Sequence, residues 1–265
     1  GLLPVDHHMP NFRTGTVGAV EHLTFYHNTA ANAGTQGGKH HIPAALAATH
    51  PVFTHGSHIG IIACFDLKAG DKRTIKLNTL VKSPEKWSSE TPALYDMTLT
   101  LSDSEGRKVD SVTKRIGFKK TEIIDGVFYL NGVPLKVNAQ CSHMQHPVTG
   151  HYITEDVIRK DMQILKQFGF NAVRTSHYPP VNRYLELADE YGLYIIDETG
   201  DEAHATEYVC SMPEFTEMYR ERVRRMVLRD RNHISVLFWS AGNESGESFN
   251  INEVIAEGKK YDPTR

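Results

Sequence analysis

The stretch WSAGNESG, residues 239–246, follows the apolar run SVLF and sets Asn243 and Glu244 between two glycines. A carboxylic acid at the tip of a buried strand suits general acid–base work, because partial burial raises its pKa and keeps it protonated near neutral pH. An amide beside it can hold a substrate hydroxyl. Three further clusters sit just past an apolar run: His143 with His146, Arg174 with His177, and Asp197, Glu198, Glu202 and His204. Any one of these residues reads as well as a solvated or capping group. Four clusters following four apolar runs read together as one site.

The elements that would position them follow from periodicity. Apolar stripes through Val157, Ile158, Met162, Ile164 and Leu165 predict a helix over 154–168, opened by Thr154 with Glu155 and Asp156 and closed by Gly169. A second helix is predicted from about 180 to 191, stopped by Gly192, a third over 215–230 and a fourth over 249–260. The runs PLKVNA, FNAVRT, LYIID and ISVLFWS alternate with these helices. That alternation predicts parallel strands with crossover helices, an α/β arrangement whose carboxyl-end face builds active sites. Residues 66–120 read differently: TIKLNTLV, YDMTLTLSD and KVDSVTKRIGF alternate apolar and polar residues between AGD and DSEG turns. They predict a small immunoglobulin-like antiparallel β-sandwich.

Residues 1–65 show neither helical nor strand periodicity and are read as an irregular, His-rich segment. Nine of the fifteen histidines lie within residues 1–63. His8, His40, His41, His55 and His58 have imidazoles that suit a metal, but no pair has a convincing ligand spacing. Cys64, Cys141 and Cys210 form neither a disulfide framework nor a CxxC pair, and read as unpaired. A net charge of −3 offers no basic face for nucleic acid. No apolar run reaches the ~20 residues of a membrane helix, and no signal peptide opens the numbering. The compartment stays open, with the cytoplasm favoured over an exported location.

The chemistry narrows by what is missing. The loop after the first of the four strands reads NAQCSHMQHP, with no GxGxxG and no GxxxxGK[ST], and no GxSxG elbow occurs. Carboxylate chemistry is left. Glycosidic bonds are cut by two carboxyl groups, one protonating the leaving oxygen and the other attacking the anomeric carbon or activating water. Glu244 fits the first role and Asn243 a contact to a sugar hydroxyl. Trp239 reads as core rather than as a sugar platform, and Glu247 as a solvated helix residue.

Several phrases resemble glycoside hydrolase family 2, the family of β-galactosidases, β-glucuronidases and β-mannosidases. They are KWSSETPALYDMTLTL, IGFKKTEIIDGVFYLNGVPLKV, FNAVRTSHYPP, ELADEYGLYIIDE and RMVLRDRNHISVLFWSAGNESG, spread over roughly residues 80–265. NAVRTSHYP and HPVTGHYI are most similar to β-galactosidases. The resemblance implies an immunoglobulin-like domain over 66–120, followed over 121–265 by the N-terminal half of a (β/α)8 TIM barrel, about four β/α units. It implies Glu244 as acid/base of a retaining double displacement on terminal β-D-galactosides, with glucuronides and mannosides as the other sugars weighed. It implies Asn243, His143 and His177 as substrate contacts and Arg174 as a brace for the carboxylates. Glu202 and His204, in DETGDEAH, match an E-x-H pair that holds Mg²⁺ together with the acid/base, here Glu244; two carboxylates and an imidazole suit such a cation.

Two departures accompany the resemblance. NAQCSH stands where β-galactosidases have RGVNRH, which bears on the packing around His143. The family's nucleophile lies at the end of the seventh barrel strand, and no motif for it occurs among these 265 residues. The expected partners are therefore a β-glycoside and either a second chain or the C-terminal half of the barrel, with a homo-oligomer in the intact enzyme and neither nucleic acid nor membrane. Alone, a half barrel with two open edges is expected to be sticky and not to turn over glycosides. The competing expectation is an inactive truncated or complementation fragment that binds carbohydrate or a partner chain.

Overall fold

The computed structural model describes residues 81–265 apart from Lys82 and Ser104, and the backbone of six strands between residues 11 and 80. Two compact units are present: residues 1–85 with 94–120, and residues 86–93 with 121–265.

In the first unit β1 (Asn11–Gly15), β2 (Ala19–Thr24) and β6 (Lys76–Leu80) form one antiparallel sheet. A second sheet runs β4 (Pro51–Val52), β7 (Tyr95–Asp103), β3 (Ile42–Ala48), β5 (Ile61–Leu67), with β8 (Lys108–Ile116) paired to β7. The irregular reading of residues 1–65 thus meets strand assignments for β1 to β5. One of them, IPAALAA, has no alternation for a period-two reading to detect. The histidines at 8, 40, 41, 55 and 58, and the Cys64 side chain, lie outside the described residues. In the β7–β8 hairpin the alternation that announced it is kept along the first part of β7. Tyr95, Met97 and Leu99 are buried, while Thr98 and Thr113 share a 2.8 Å hydroxyl hydrogen bond across the opposite face.

The second unit opens with an antiparallel sheet of β9 (Thr121–Ile124), β10 (Val127–Leu130) and β11 (Val133–Pro134). Then β12 (Ala139–Ser142), β13 (Ala172–Thr175), β14 (Tyr194–Glu198) and β15 (Val236–Ser240) pair in sequence order, all parallel. Helices α1 (Glu155–Gln167), α2 (Asn182–Tyr191) and α3 (Thr216–Asp230) make the three crossovers, and α4 (Phe249–Tyr261) follows β15. Four strand–helix units of an α/β barrel-type fold are thereby in place. Ile158, Met162 and Leu165 of α1 and Leu185, Leu187 and Ala188 of α2 bury against Val173, Ile195 and Val236 of the sheet. Tyr219, Val223, Met226 and Val227 of α3 form a second core with Val254 of α4.

Residues 86–93, which the sequence reading places inside the β-sandwich, group with the parallel sheet. The cause is Trp87, which is fully buried. Its Nε1 donates to the Asp189 carbonyl at 2.9 Å, and its ring meets Tyr194 edge-on at 5.6 Å. The neighbouring Ser89 N–H donates to the Tyr194 hydroxyl at 3.0 Å, and Lys166 Nζ donates to the carbonyls of Ser89 and Gly192.

Gly192 is where this strap needs glycine. It closes α2 in the left-handed region at φ 69°, and a Cβ there would lie 2.6 Å from the Ser89 carbonyl oxygen. Gly192→Ala is expected to cost at least about 2 kcal/mol, adding backbone strain to the clash. A lowered urea midpoint with an unchanged slope would register it; an unchanged midpoint would show that the strap does not press on this turn.

Candidate functional site at the carboxyl end of the parallel sheet

The site is organised by Glu198, the last residue of β14, whose side chain is wholly buried. A buried carboxylate is tolerable only when its lone pairs are taken up. Here Arg174 of β13 donates through Nε at 2.6 Å and Nη2 at 2.5 Å to Oε2, and the Ser240 hydroxyl of β15 donates to the same oxygen at 2.5 Å. The other oxygen, Oε1, lies 2.6 Å from His177 Nδ1. The Glu198 N–H donates to Thr175 Oγ1 at 3.0 Å, so three adjacent strands are tied at their carboxyl ends. Burial works against the Arg174 charge, but the Glu198 carboxylate more than offsets it and holds the guanidinium above its usual pKa.

Arg174 then reaches across to Asn243, whose Oδ1 accepts from Nη2 at 2.8 Å. Asn243 and Glu244 ride on a turn held by the loop after β14. The Asp201 carbonyl accepts from Asn243 N–H at 2.9 Å and from the Ser245 hydroxyl at 2.7 Å. This close approach explains the first glycine of GNESG: a Cβ on Gly242, at φ 147°, would sit 2.4 Å from that same carbonyl oxygen. Glu244 itself adopts φ 46°, in the left-handed region. Such strain in a non-glycine residue persists only where the surroundings impose it.

The remaining expected residues distribute unevenly. The His143 ring stands edge-on to His177 at 5.2 Å, and Tyr178, 6.0 Å from His143, accepts a hydrogen bond from the Met144 N–H at 3.0 Å. His146 turns back on its own loop, where Nδ1 takes the Val148 and Thr149 N–H groups at 3.3 Å. Glu244 departs from the partial burial expected of it: its side chain is 52% exposed, because the turn projects it past the sheet. Within the expected cation trio, His204 Nδ1 abuts a Glu244 carboxylate oxygen, while Glu202 Oε1 accepts from Asn243 Nδ2 at 3.3 Å. No three His, Cys, Asp or Glu side chains converge on one point among the described residues. The donor chemistry suits a hard cation, but the trio does not close around one in this arrangement.

Sequence reasoning named Glu198 in one of the clusters without giving it a role, and did not single out Ser240 or Tyr178. The signal for Glu198 was available. Asp197 and Glu198 are adjacent in a strand, so their side chains leave opposite faces, and only one of them can share the face of Arg174.

The Glycosyl hydrolases family 2 TIM barrel domain model matches residues 121–265, and the Glycosyl hydrolases family 2 model matches residues 54–119. A beta-galactosidase of Photobacterium profundum is 42% identical over 188 residues, 70% of this chain and 18% of that protein. One from Leuconostoc mesenteroides is 38% identical over 229 residues, 83% of this chain and 22% of that protein. The chain thus spans about a fifth of the length of these curated relatives. Among solved structures, a family 2 glycosyl hydrolase of Bacteroides cellulosilyticus superposes with a TM-score of 0.78 at 25% identity, over 97% of this chain and 34% of that one. A Parabacteroides merdae β-glucuronidase shares the fold with a TM-score of 0.75 at 20% identity, over 97% and 32%.

Asp197 faces away from the site and is fully buried, as is Asp230 of α3. Burial, and then the Asp230 charge, push the Asp197 carboxyl well above the usual carboxylate range, against a weaker pull from Arg229. Above about pH 4 the folded state therefore holds a proton that the unfolded chain has lost, and stability falls as pH rises from there. Asp197→Asn keeps the neutral shape without the titration. It is expected to stabilise the chain at pH 7 by on the order of 1 kcal/mol and to change little near pH 4. Urea midpoints across that range check this; a difference independent of pH would place the proton elsewhere.

Proposed function

The chain belongs to glycosyl hydrolases family 2, and from that premise we propose that the protein of which it forms part hydrolyses terminal β-D-galactosides by a retaining double displacement. The observation that carries the reading is the Asn243–Glu244 tip, braced through Arg174 and Glu198 at the carboxyl end of four parallel strands. Glu244 is the acid/base: it gives its proton to the leaving oxygen and then takes one from the attacking water. Asn243, whose side chain Arg174 and Glu202 orient, contacts a sugar hydroxyl with the amide capacity left over. His143 and His177 contact further hydroxyls from β12 and β13.

The half-exposed Glu244 lacks the desolvation that an acid catalyst draws on, and the bound sugar and further barrel wall supply it. In this proposal the second carboxylate, the nucleophile, comes from chain outside these 265 residues or from a partner polypeptide. The β7–β8 hairpin and its neighbours form part of an immunoglobulin-like domain, and the intact enzyme is a homo-oligomer. Glu202, His204 and Glu244 have the donors for Mg²⁺, which would supply positive charge beside the acid/base. Taking it requires Glu202 to leave Asn243 and His204 to leave Glu244.

One observation favours a second reading for the 265 residues by themselves. The carboxylates near Glu244 are committed, Glu198 to Arg174 and Glu202 to Asn243, so neither is placed as a nucleophile. On that reading the chain binds carbohydrate or a partner chain without turnover.

A chromogenic β-galactoside distinguishes these outcomes. The isolated chain is expected to show no turnover, and addition of a polypeptide carrying the rest of the barrel is expected to restore it. In the restored enzyme Glu244→Gln should lower kcat by about 10²–10⁴-fold. Turnover by the isolated chain that Glu244→Gln abolishes would overturn the assignment of the nucleophile to other chain. Activity on β-glucuronides or β-mannosides alone would overturn the sugar.

A further inference from the structure

We propose that Glu198 is a positioning residue that fixes the tautomer of His177, presenting an unprotonated Nε2 to the sugar-binding face. The value of that atom to catalysis rests on the function proposed above; the tautomer itself does not.

Three donors converge on Oε2 of Glu198: two N–H groups of Arg174 at 2.6 and 2.5 Å and the Ser240 hydroxyl at 2.5 Å. With a guanidinium and a hydroxyl both donating to it, the group is the anionic acceptor of an ion pair and has no proton to give. The 2.6 Å approach of His177 Nδ1 to Oε1 is therefore an N–H donating to an anion. In a neutral imidazole with its proton on Nδ1, the other nitrogen is an acceptor. With its side chain only 15% exposed, the ring cannot reorient without breaking that bond. The His143 ring packed edge-on at 5.2 Å further restricts it.

The consequence for a bound sugar is directional. An Nε2 lone pair accepts an O–H, so the hydroxyl facing it is obliged to donate, leaving its oxygen lone pairs for other partners. The same carboxylate holds Arg174, and through it Asn243, so one buried charge sets the orientation of groups on β13 and on the Glu244 turn. A second partner that fixes the orientation of a functional imidazole is a general device where a ring must present one particular nitrogen.

Glu198→Gln separates this role from simple space-filling. Glutamine matches the volume but has a single acceptor oxygen, which Arg174 and Ser240 claim. Its amide nitrogen then faces His177 and can only donate, so Nδ1 must become the acceptor and the proton must move to Nε2.

The experiment is ¹⁵N NMR of the histidine-labelled 265-residue chain, at a pH where the rings are neutral, with His177 assigned by the signals lost in His177→Asn. In the unaltered chain the Nε2 resonance is expected at the unprotonated position and Nδ1 at the protonated one. In Glu198→Gln the two are expected to exchange places. An Nε2–H tautomer in the unaltered chain overturns the proposal even if the variant fails to fold, and an unchanged tautomer in a folded variant overturns it as well. Neither reading needs turnover, so a wrong sugar or an inactive chain leaves this test intact. In the enzyme restored with the rest of the barrel, Glu198→Gln should depress kcat more than it raises KM, and Glu198→Asp should recover part of the loss.

Discussion

The constraint on which this part of the fold depends is the burial of one carboxylate. Glu198 has no exposed surface, yet it ends a strand between two others that also carry polar groups. A carboxylate in that position must be met by charge and by hydrogen bonds, because its burial is otherwise costly. The answer is assembled from the two flanking strands: Arg174 and His177 from β13 and the loop after it, and Ser240 from β15. Removing any one of them leaves a lone pair or a charge unmet in a place that water does not reach. The register of the sheet supports this. Ile196 pairs with both Arg174 and Phe238, and Glu198 sits opposite Ser240, so the interacting groups lie at matched heights.

The loops inherit their shape from the same end of the sheet. Thr199 N–H donates to the Ser240 carbonyl at 3.1 Å, and two residues later the Asp201 carbonyl collects Asn243 and Ser245. The loop after β14 is thus sewn to the loop after β15, and the close approach at Gly242 is what allows it. Asp201 is itself buried; burial raises its pKa, while the Thr199 hydroxyl and the Arg222 guanidinium pull the other way. A glycine, a buried acid and a left-handed glutamate therefore belong to one local solution, in which Glu244 is projected outward rather than packed down.

Much of this was legible in the residues. Helical stripes and stop signals placed α1 to α4 within a few residues, since Gly169 and Gly192 end their helices by adopting positive φ. The placement of ionisable residues after each apolar run pointed to the carboxyl end of the sheet, where Arg174, Glu198 and Asn243 meet. Two things were not legible. The pairing of Glu198 with Arg174 depends on which face of a strand each residue leaves, and a list of strand-end residues does not record that. The attachment of residues 86–93 to the parallel sheet depends on Trp87 finding Asp189 and Tyr194 about a hundred positions later, a tertiary contact with no local signature. The exposure of Glu244 was hidden for the opposite reason: strand-tip position suggested enclosure, whereas the backbone at φ 46° turns the side chain into solvent.

The Glu198 network is closed within three strands, and this bears on how the proposed enzyme would be built. Every hydrogen bond that organises Arg174, His177 and Asn243 comes from the unit containing β12 to β15, so these groups are oriented before any further barrel wall is added. Catalytic groups held by their own neighbours lose little freedom when substrate arrives, which is where positioning gains its effect. Glu244 differs, because half of it meets water and its neighbour is the His204 imidazole. On the proposed function that division is physically sensible for an acid that must both donate and recover a proton: Arg174, His177 and Asn243 are oriented by their own neighbours, while Glu244 would stay accessible until further chain and the substrate enclosed it.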